Sequence, residues 1–141
     1  MLLDGFRERD QVRVFPEGWG QEAAAFAPHS IAGTLEQIEA LPGIRVTHAL
    51  VVFRRTWEPR LIEPERERLW RAFGVPAFEQ LIAEDCTLLA SECEAHDGLH
   101  IESPKFVAGD QELDRSPCGC GRTAPRLLGI DQLRRVATSS R

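Results

Sequence analysis

The amino-acid sequence predicts an α/β fold in which a βαβ unit forms part of a small mixed sheet. Two apolar, β-rich runs at 46–53 and 75–82 flank a helical pattern at 64–73. Strand, helix and strand joined by short connections imply a parallel strand pair with a right-handed crossover. Further along, 83–126 combines short strand patterns with clustered cysteines, which predicts a β-hairpin and loop region that holds either a zinc ion or buried thiols. We expect the whole chain, 1–141, to form one domain.

The segment 1–30 is irregular in pattern, apart from a short alternation of polar and apolar residues at 11–15 that predicts a strand. From residue 31 the apolar residues recur at helical spacing, and Ser30 is suited to cap such a helix. The sequence therefore predicts a helix at 31–41, which opens an αβαβ unit at 31–82.

The helix between the two predicted strands has clear end signals. Pro64 suits the first turn, because its missing N–H needs no partner there, and Gly74 suits the left-handed position that ends a helix. Three apolar side chains are expected on one face of this helix: Leu69, Trp70 and Phe73. We expect that face to pack on the sheet.

The chain changes character after residue 83. Two strand patterns, 88–93 and 99–101, flank a His-Asp-Gly sequence that suits a tight turn. The next stretch, 103–122, is rich in Pro, Gly and Asp and contains a Cys-Gly-Cys-Gly run. The C-terminal tail, 127–141, begins with apolar residues at 127–136 that fit either a strand or a short helix.

Composition and charge narrow the function classes. The net charge of −5 argues against a general nucleic-acid-binding protein, since such proteins usually carry a basic patch. The Arg-rich stretch 122–141 is expected to be a solvated chain end. No apolar run approaches the ~20 residues of a membrane span, and the first residues do not resemble a signal peptide. We therefore expect a cytoplasmic protein whose four cysteines are metal ligands or buried thiols.

Four residues have the spacing C-x6-H-x17-C-x-C: Cys93, His100, Cys118 and Cys120. Structural zinc takes four nitrogen or sulfur ligands in a tetrahedron. A hairpin would bring the first two together, and glycines beside the last two permit a sharp turn round an ion. From spacing alone, buried thiols are an equal alternative, because a free cysteine behaves as a small apolar side chain. Cys86 or His96 could also replace His100 as the fourth ligand.

Acidic side chains in the same region are weaker candidates. Glu92 and Glu94 flank Cys93, but on a strand they would point away from it into solvent. Glu84 and Asp85 follow a predicted strand, where α/β proteins often place active sites. Adjacent acids in a loop usually face solvent, and we expect the same here.

Three segments resemble the phenylacetate–coenzyme A ligase branch of the adenylate-forming enzymes, which includes the coenzyme F390 synthetases. They are ERERLWRAFGVPAFE at 65–79, ASECEAHDGLHI at 90–101 and CGCGRTAPR at 118–126. The resemblance covers about residues 46 to 130 and implies part of the N-terminal domain of such a ligase. It also implies that one structural zinc ion is bound by Cys93, His100, Cys118 and Cys120.

The chain also departs from that family. Nothing in 1–60 resembles its Ser/Thr/Gly-rich phosphate loop, and only Glu84 corresponds to its adenine-binding motif. Gly109-Asp110 is at best a distorted remnant of the ribose-binding loop, and we expect no counterpart of the family's C-terminal domain with its catalytic lysine. Without these parts, the positioning and charge stabilisation that adenylation needs are lost.

The sequence therefore predicts a zinc-stabilised binding or accessory protein without catalytic residues or ligase activity of its own. The expected partners are a second copy of the chain or another protein, and a small acyl, aryl or CoA-type ligand for which Glu84 is the candidate contact. No nucleic acid or membrane is expected as a partner. The alternative is a ligase subunit, or a nucleotide- or CoA-binding enzyme, that needs a second polypeptide.

Overall fold

The computed structural model describes residues 8, 11–104, 106 and 113–128. Within these residues, seven strands form one sheet in the order β1-β2-β3-β4-β5-β7-β6. The strands are β1 (Ser30–Thr34), β2 (Ala49–Arg55), β3 (Ala77–Ile82), β4 (Leu88–Glu92), β5 (Leu99–Ile101), β6 (Leu113–Asp114) and β7 (Arg126–Leu127). The helices are α1 (Gln21–Phe26), α2 (Leu35–Glu39) and α3 (Glu63–Phe73). In this described part of the chain, no helix has the length and apolar character needed to cross a bilayer.

The first three strands make the parallel half of the sheet. β1 pairs with β2 and β2 with β3, so that Val52 lies between Gly33 and Glu79. Buried residues of α2, α3, β2 and β3 share one apolar cluster, which includes Ile38, Val52 and Leu69. The predicted βαβ unit is confirmed, with β2 shifted towards the C-terminus relative to the predicted run.

The predicted helix at 31–41 is wrong in its first half. Ser30–Thr34 forms β1, and α2 begins directly after it. Thr34 Oγ1 accepts a hydrogen bond from the Gln37 N–H at 3.2 Å, and Gln37 Oε1 accepts one from the Thr34 N–H at 2.9 Å. This reciprocal capping box needs Gln or Glu three residues after the capping residue. Thr34 has Gln37 at that position, whereas Ser30 has Gly33.

The predicted strand at 11–15 is also wrong. Val12 forms an isolated bridge there, and 49% of its surface is exposed. A strand is stabilised by cross-strand pairs, which alternation of polar and apolar residues does not supply by itself. The segment instead packs through Phe15, whose ring lies 6.1 Å from that of Phe26 in α1.

Helix α3 has the predicted end signals. Pro64 lies in its first turn, and Gly74 ends it with a φ of 68°, donating its N–H to the Trp70 carbonyl. Leu69 is 1% exposed, and Phe73 packs against the same core. The prediction that Trp70 also packs on the sheet is wrong, because this side chain is 56% exposed. Successive helical residues are rotated by about 100°, which carries position 70 away from the core.

The second half of the sheet is antiparallel. The predicted β4–β5 hairpin is confirmed, with Ser91 opposite His100, and β5 then pairs with β7 and β7 with β6. A separate apolar cluster lies under these strands: Leu81, Leu89, Ala90, Leu99 and Leu127. Most of the tail at 127–141 lies outside the described residues, but its first residue ends β7.

Candidate metal centre

Four potential metal ligands meet beside the turn of the β4–β5 hairpin. Cys93 directly follows β4, His100 lies in β5, and Cys118 and Cys120 lie in the loop between β6 and β7. One ligand atom from each residue lies within 4.8 Å of all the others. The structure therefore brings together the four residues that the sequence and the resemblance single out.

Two of the six separations between the ligand atoms match the edges of a tetrahedral site. Cys93 Sγ lies 3.6 Å from Cys118 Sγ, and Cys120 Sγ lies 3.4 Å from His100 Nε2. In a tetrahedron, zinc–sulfur bonds of ~2.3 Å and zinc–nitrogen bonds of ~2.0 Å imply S···S and S···N edges of about 3.7 and 3.5 Å. The residues present therefore fit one ion with four protein ligands.

His100 is oriented to offer one particular nitrogen. The residue is fully buried, and its Nδ1 lies 3.4 Å from the backbone oxygen of Ala124. A carbonyl oxygen can only accept a hydrogen bond, so Nδ1 carries the proton and Nε2 keeps its lone pair. Contacts of this kind fix the tautomer and the ring orientation of metal-binding histidines. His100 is thus prepared to bind through Nε2, the atom that faces Cys120.

Tight backbone turns hold the cysteines. The Gly121 N–H donates to the Cys118 carbonyl at 2.9 Å, and Gly121 has a φ of 92°, which side-chain-bearing residues rarely adopt. The Ala95 N–H donates a hydrogen bond to the Cys93 sulfur, and the Cys120 N–H donates one to the Cys118 sulfur. Such bonds favour the thiolate form, which is the form that binds a metal.

The thiols differ in their tendency to ionise. Burial raises the pKa of the Cys93 thiol to about 11, whereas the hydrogen bond from the Cys120 N–H lowers the pKa of Cys118. Thiolates this close repel one another, so without a cation they cannot all be charged. A divalent ion removes that conflict, since a coordinating thiol is deprotonated outright. The arrangement therefore suits a bound cation.

The two alternative ligands lie elsewhere. Among the described residues, the group contains neither Cys86 nor His96. Cys86 is half-buried in the turn between β3 and β4. His96 Nδ1 lies 2.8 Å from Glu92 Oε2, and the His96 ring stacks on Phe78. His100 thus remains the fourth residue of the cluster.

Glu92 is buried, which corrects the expectation that it faces solvent. Its side chain is 3% exposed and accepts hydrogen bonds from Arg66 Nη1 at 3.0 Å and from the Glu79 N–H at 2.8 Å. The carboxylate is on the sheet face that α3 covers, and α3 supplies the arginine. Glu94 is exposed, as expected.

Glu84 lies exposed in the turn between β3 and β4. Its neighbour Asp85 shapes that turn, since Asp85 Oδ1 accepts a hydrogen bond from the Thr87 N–H at 3.0 Å. Gly109 and Asp110 lie outside the described residues. A ligand-binding role for Glu84 stays a prediction.

A buried arginine connects the parts of the centre, and sequence reasoning missed it. Arg126 in β7 is 2% exposed. Its Nη1 donates to Asp97 Oδ2 at 2.7 Å in the hairpin turn, and its Nη2 donates to Asp114 Oδ2 at 2.9 Å in β6. Asp97 is 29 residues and Asp114 is 12 residues from Arg126 in the chain, so no local sequence pattern predicts these ion pairs.

We expect Gly98→Ala to destabilise the hairpin turn. Gly98 has a φ of 82°, and a Cβ there would lie 2.8 Å from the backbone oxygen of Leu127. The turn would have to move away from β7, at a cost of about 1–3 kcal/mol in unfolding free energy. Urea unfolding measures this cost. Gly119→Ala is the control, because its Cβ would meet Ala95 Cβ at an ordinary 3.8 Å. An equal loss in both variants would contradict the prediction.

Comparison with known proteins shows a likeness of fold. No protein-family model matches the sequence, and no curated protein matches it. A similar solved structure is an open conformation of 2-hydroxyisobutyryl-CoA ligase in complex with 2-HIB-AMP and CoA. The match has a TM-score of 0.55 and 15% identity. In fold, the chain resembles part of this ligase.

That match covers 81% of this chain and 37% of the ligase chain. At this level of identity, the likeness concerns the fold alone. It does not test the resemblance to the phenylacetate–CoA ligase branch.

Proposed function

We propose that this chain is a zinc-stabilised binding or accessory module, related to the phenylacetate–CoA ligases and without ligase activity of its own. The observation that carries the proposal is the set of three sulfurs and one imidazole nitrogen within 4.8 Å. Thiolate and imidazole ligands favour zinc over magnesium or calcium, which prefer oxygen. Four protein ligands fill a tetrahedral zinc site, so no position is left for a catalytic water. The zinc would be structural.

The proposed lack of ligase activity and the proposed binding partners are inferred from the sequence. The phosphate-loop pattern is missing, and the adenine-binding motif is reduced to Glu84. A module of this kind would act by binding a second copy of itself, a partner protein or a small acyl, aryl or CoA-type ligand.

Native mass spectrometry of protein purified without chelators tests the metal and the subunit count together. We expect one zinc per chain, lost in Cys118→Ser and kept in Cys86→Ser, since Cys86 lies outside the group. A folded, metal-free wild-type chain would refute the zinc proposal. A monomer at all concentrations would refute the homodimer and leave the zinc proposal intact.

A ligase subunit that needs a second polypeptide is the second candidate, favoured by the fold shared with a ligase that binds 2-HIB-AMP and CoA. Calorimetry with millimolar ATP separates the two, because a CoA-type ligand is compatible with both. The accessory role predicts no binding heat with ATP. Binding that disappears in Glu84→Ala would favour the ligase subunit instead.

A further inference from the structure

A groove of about 640 Å³ lies between α3 and the β4–β5 hairpin, and none of the four metal ligands lines it. Its volume falls within the range of small-molecule sites. The α3 wall carries Glu63, Arg66, Glu67 and Trp70, and the opposite wall carries His96 and Leu99. Arg60 and Glu79 also line the groove. This groove is a separate feature from the metal centre, although the hairpin contributes to both.

Two polar atoms of residues that line the groove lack hydrogen-bond partners among the described residues. Arg60 Nη1 is buried and has no hydrogen-bond partner among the described residues, although it forms an ion pair with Glu79. Glu79 is 3% exposed; its Oε2 accepts from the Leu61 N–H, whereas no described group donates to its Oε1. Nη1 and Oε1 lie 3.9 Å apart, which is beyond hydrogen-bond distance. A buried donor left open in this way is destabilising. A group that satisfies this donor and also donates to Glu79 Oε1 would therefore bind with a gain in free energy.

Apolar surface accompanies these two atoms. Trp70 is 56% exposed and Ile62 is 41% exposed, and both line the groove. Val75 and Leu99 are buried residues of the same lining. An apolar surface with a few convergent polar groups is the usual composition of a small-molecule site. The exposed indole offers a flat face on which a planar ligand can lie.

The opposite charges of Arg60 and Glu79 give little net attraction to an ionised ligand group that contacts both side chains. Arg66 is neutralised by Glu92 at 3.0 Å, whereas Glu63 and Glu67 add negative charge to the α3 wall. A carboxylate or phosphate would be repelled by Glu79, and a cation would be repelled by Arg60. A neutral amide offers one acceptor and one donor about 2.2 Å apart, which suits a donor and an acceptor separated by 3.9 Å.

We propose that this groove binds a neutral carboxamide on a planar, apolar body, with the amide oxygen on Arg60 Nη1 and the amide N–H on Glu79 Oε1. The planar body lies against Trp70 and Leu99. The ligand class differs from the acids and nucleotides of a ligase, and the site contains no metal ligand. The outcome of this proposal is therefore independent of the outcome of the zinc proposal.

Three isosteric probes test the proposal: benzamide, benzoate and benzamidine. They share one planar ring and differ in the charge and hydrogen-bonding pattern of the substituent. Titrations of the zinc-loaded chain, followed by protein NMR shifts, should show benzamide binding at least about tenfold more tightly than either charged probe. Equal affinities, or no saturable benzamide binding up to about 50 mM, would overturn the proposal.

Glu79→Gln reverses the hydrogen-bonding pattern, because the side-chain oxygen can keep the Leu61 N–H while an NH₂ group replaces Oε1. We expect benzamide affinity to fall about tenfold and benzoate affinity to rise. Arg60→Met is the second variant, should Glu79→Gln fail to fold, and it should abolish the preference for benzamide. An unchanged order of the three affinities in whichever variant folds would overturn the proposal.

A matched pair of tryptophan variants locates the binding. Trp70→Ala should weaken benzamide about fivefold, because the ring loses its stacking face. Trp57→Ala should leave the affinity unchanged, since this exposed indole lies outside the groove. Equal losses in both variants would place the ligand elsewhere and overturn the proposal.

Discussion

Under the zinc proposal, removal of the metal will unfold the antiparallel half of the sheet and leave the parallel half folded. Strand β7 pairs with β5 and with β6 through only two residue pairs each. We expect this pairing to be too short to keep the strands together without the metal. Structural zinc in small domains supplies about 10–16 kcal/mol of binding free energy, which is coupled to folding. The parallel half has its own apolar cluster around Leu50, Val52 and Leu69. The loss of structure should therefore stop near β3.

Hydrogen-exchange mass spectrometry of the zinc-loaded and chelated protein measures this division. Peptides covering β4, β5 and β7 should lose protection on chelation, and those covering β2 and α3 should keep it. Cys118→Ser should behave as the chelated wild type, and Cys86→Ser as the zinc-loaded wild type. Protection that is unchanged by chelation would show that the cluster does not hold this half together.

The parts of the fold that the sequence predicted correctly have local causes. The βαβ unit follows from two apolar runs and from Pro64 and Gly74, each of which acts on its own stretch of backbone. The spacing and the resemblance together named the four Cys and His residues whose ligand atoms the structure brings within 4.8 Å of one another. Buried thiols remained an equal interpretation until the resemblance was added.

The parts that the sequence did not predict depend on distant partners. β1 was mistaken for helix because Ile31, Leu35 and Ile38 have helical spacing, whereas its strand conformation depends on pairing with β2. Glu92 was expected in solvent, and its burial depends on Arg66, 26 residues away. Buried charges of this kind require a partner, and the partner is visible only once the chain is folded.

Arg126→Met is expected to cost about 2–3 kcal/mol of unfolding free energy in the zinc-loaded protein. The variant keeps much of the apolar stem but loses the hydrogen bonds that join β7 to the hairpin turn and to β6. Asp97 keeps 53% of its side chain in water, which holds the cost below that of a fully buried ion pair. The Arg126 Nε is itself buried without a partner among the described residues, which offsets part of the loss.

Urea unfolding of Arg126→Met and Arg122→Met compares the loss of unfolding free energy at a buried arginine with the loss at a surface ion pair. Arg122 pairs with Glu102 at 2.7 Å but is 42% exposed, so its loss should cost less than about 1 kcal/mol. Zinc affinity should fall in Arg126→Met as well, because the loop that carries Cys118 would lose its connection to the turn that follows Cys93. Equal destabilisation by the two variants would mean that Arg126 merely fills space, and that the cysteine loop is positioned by its own turn and by the metal alone.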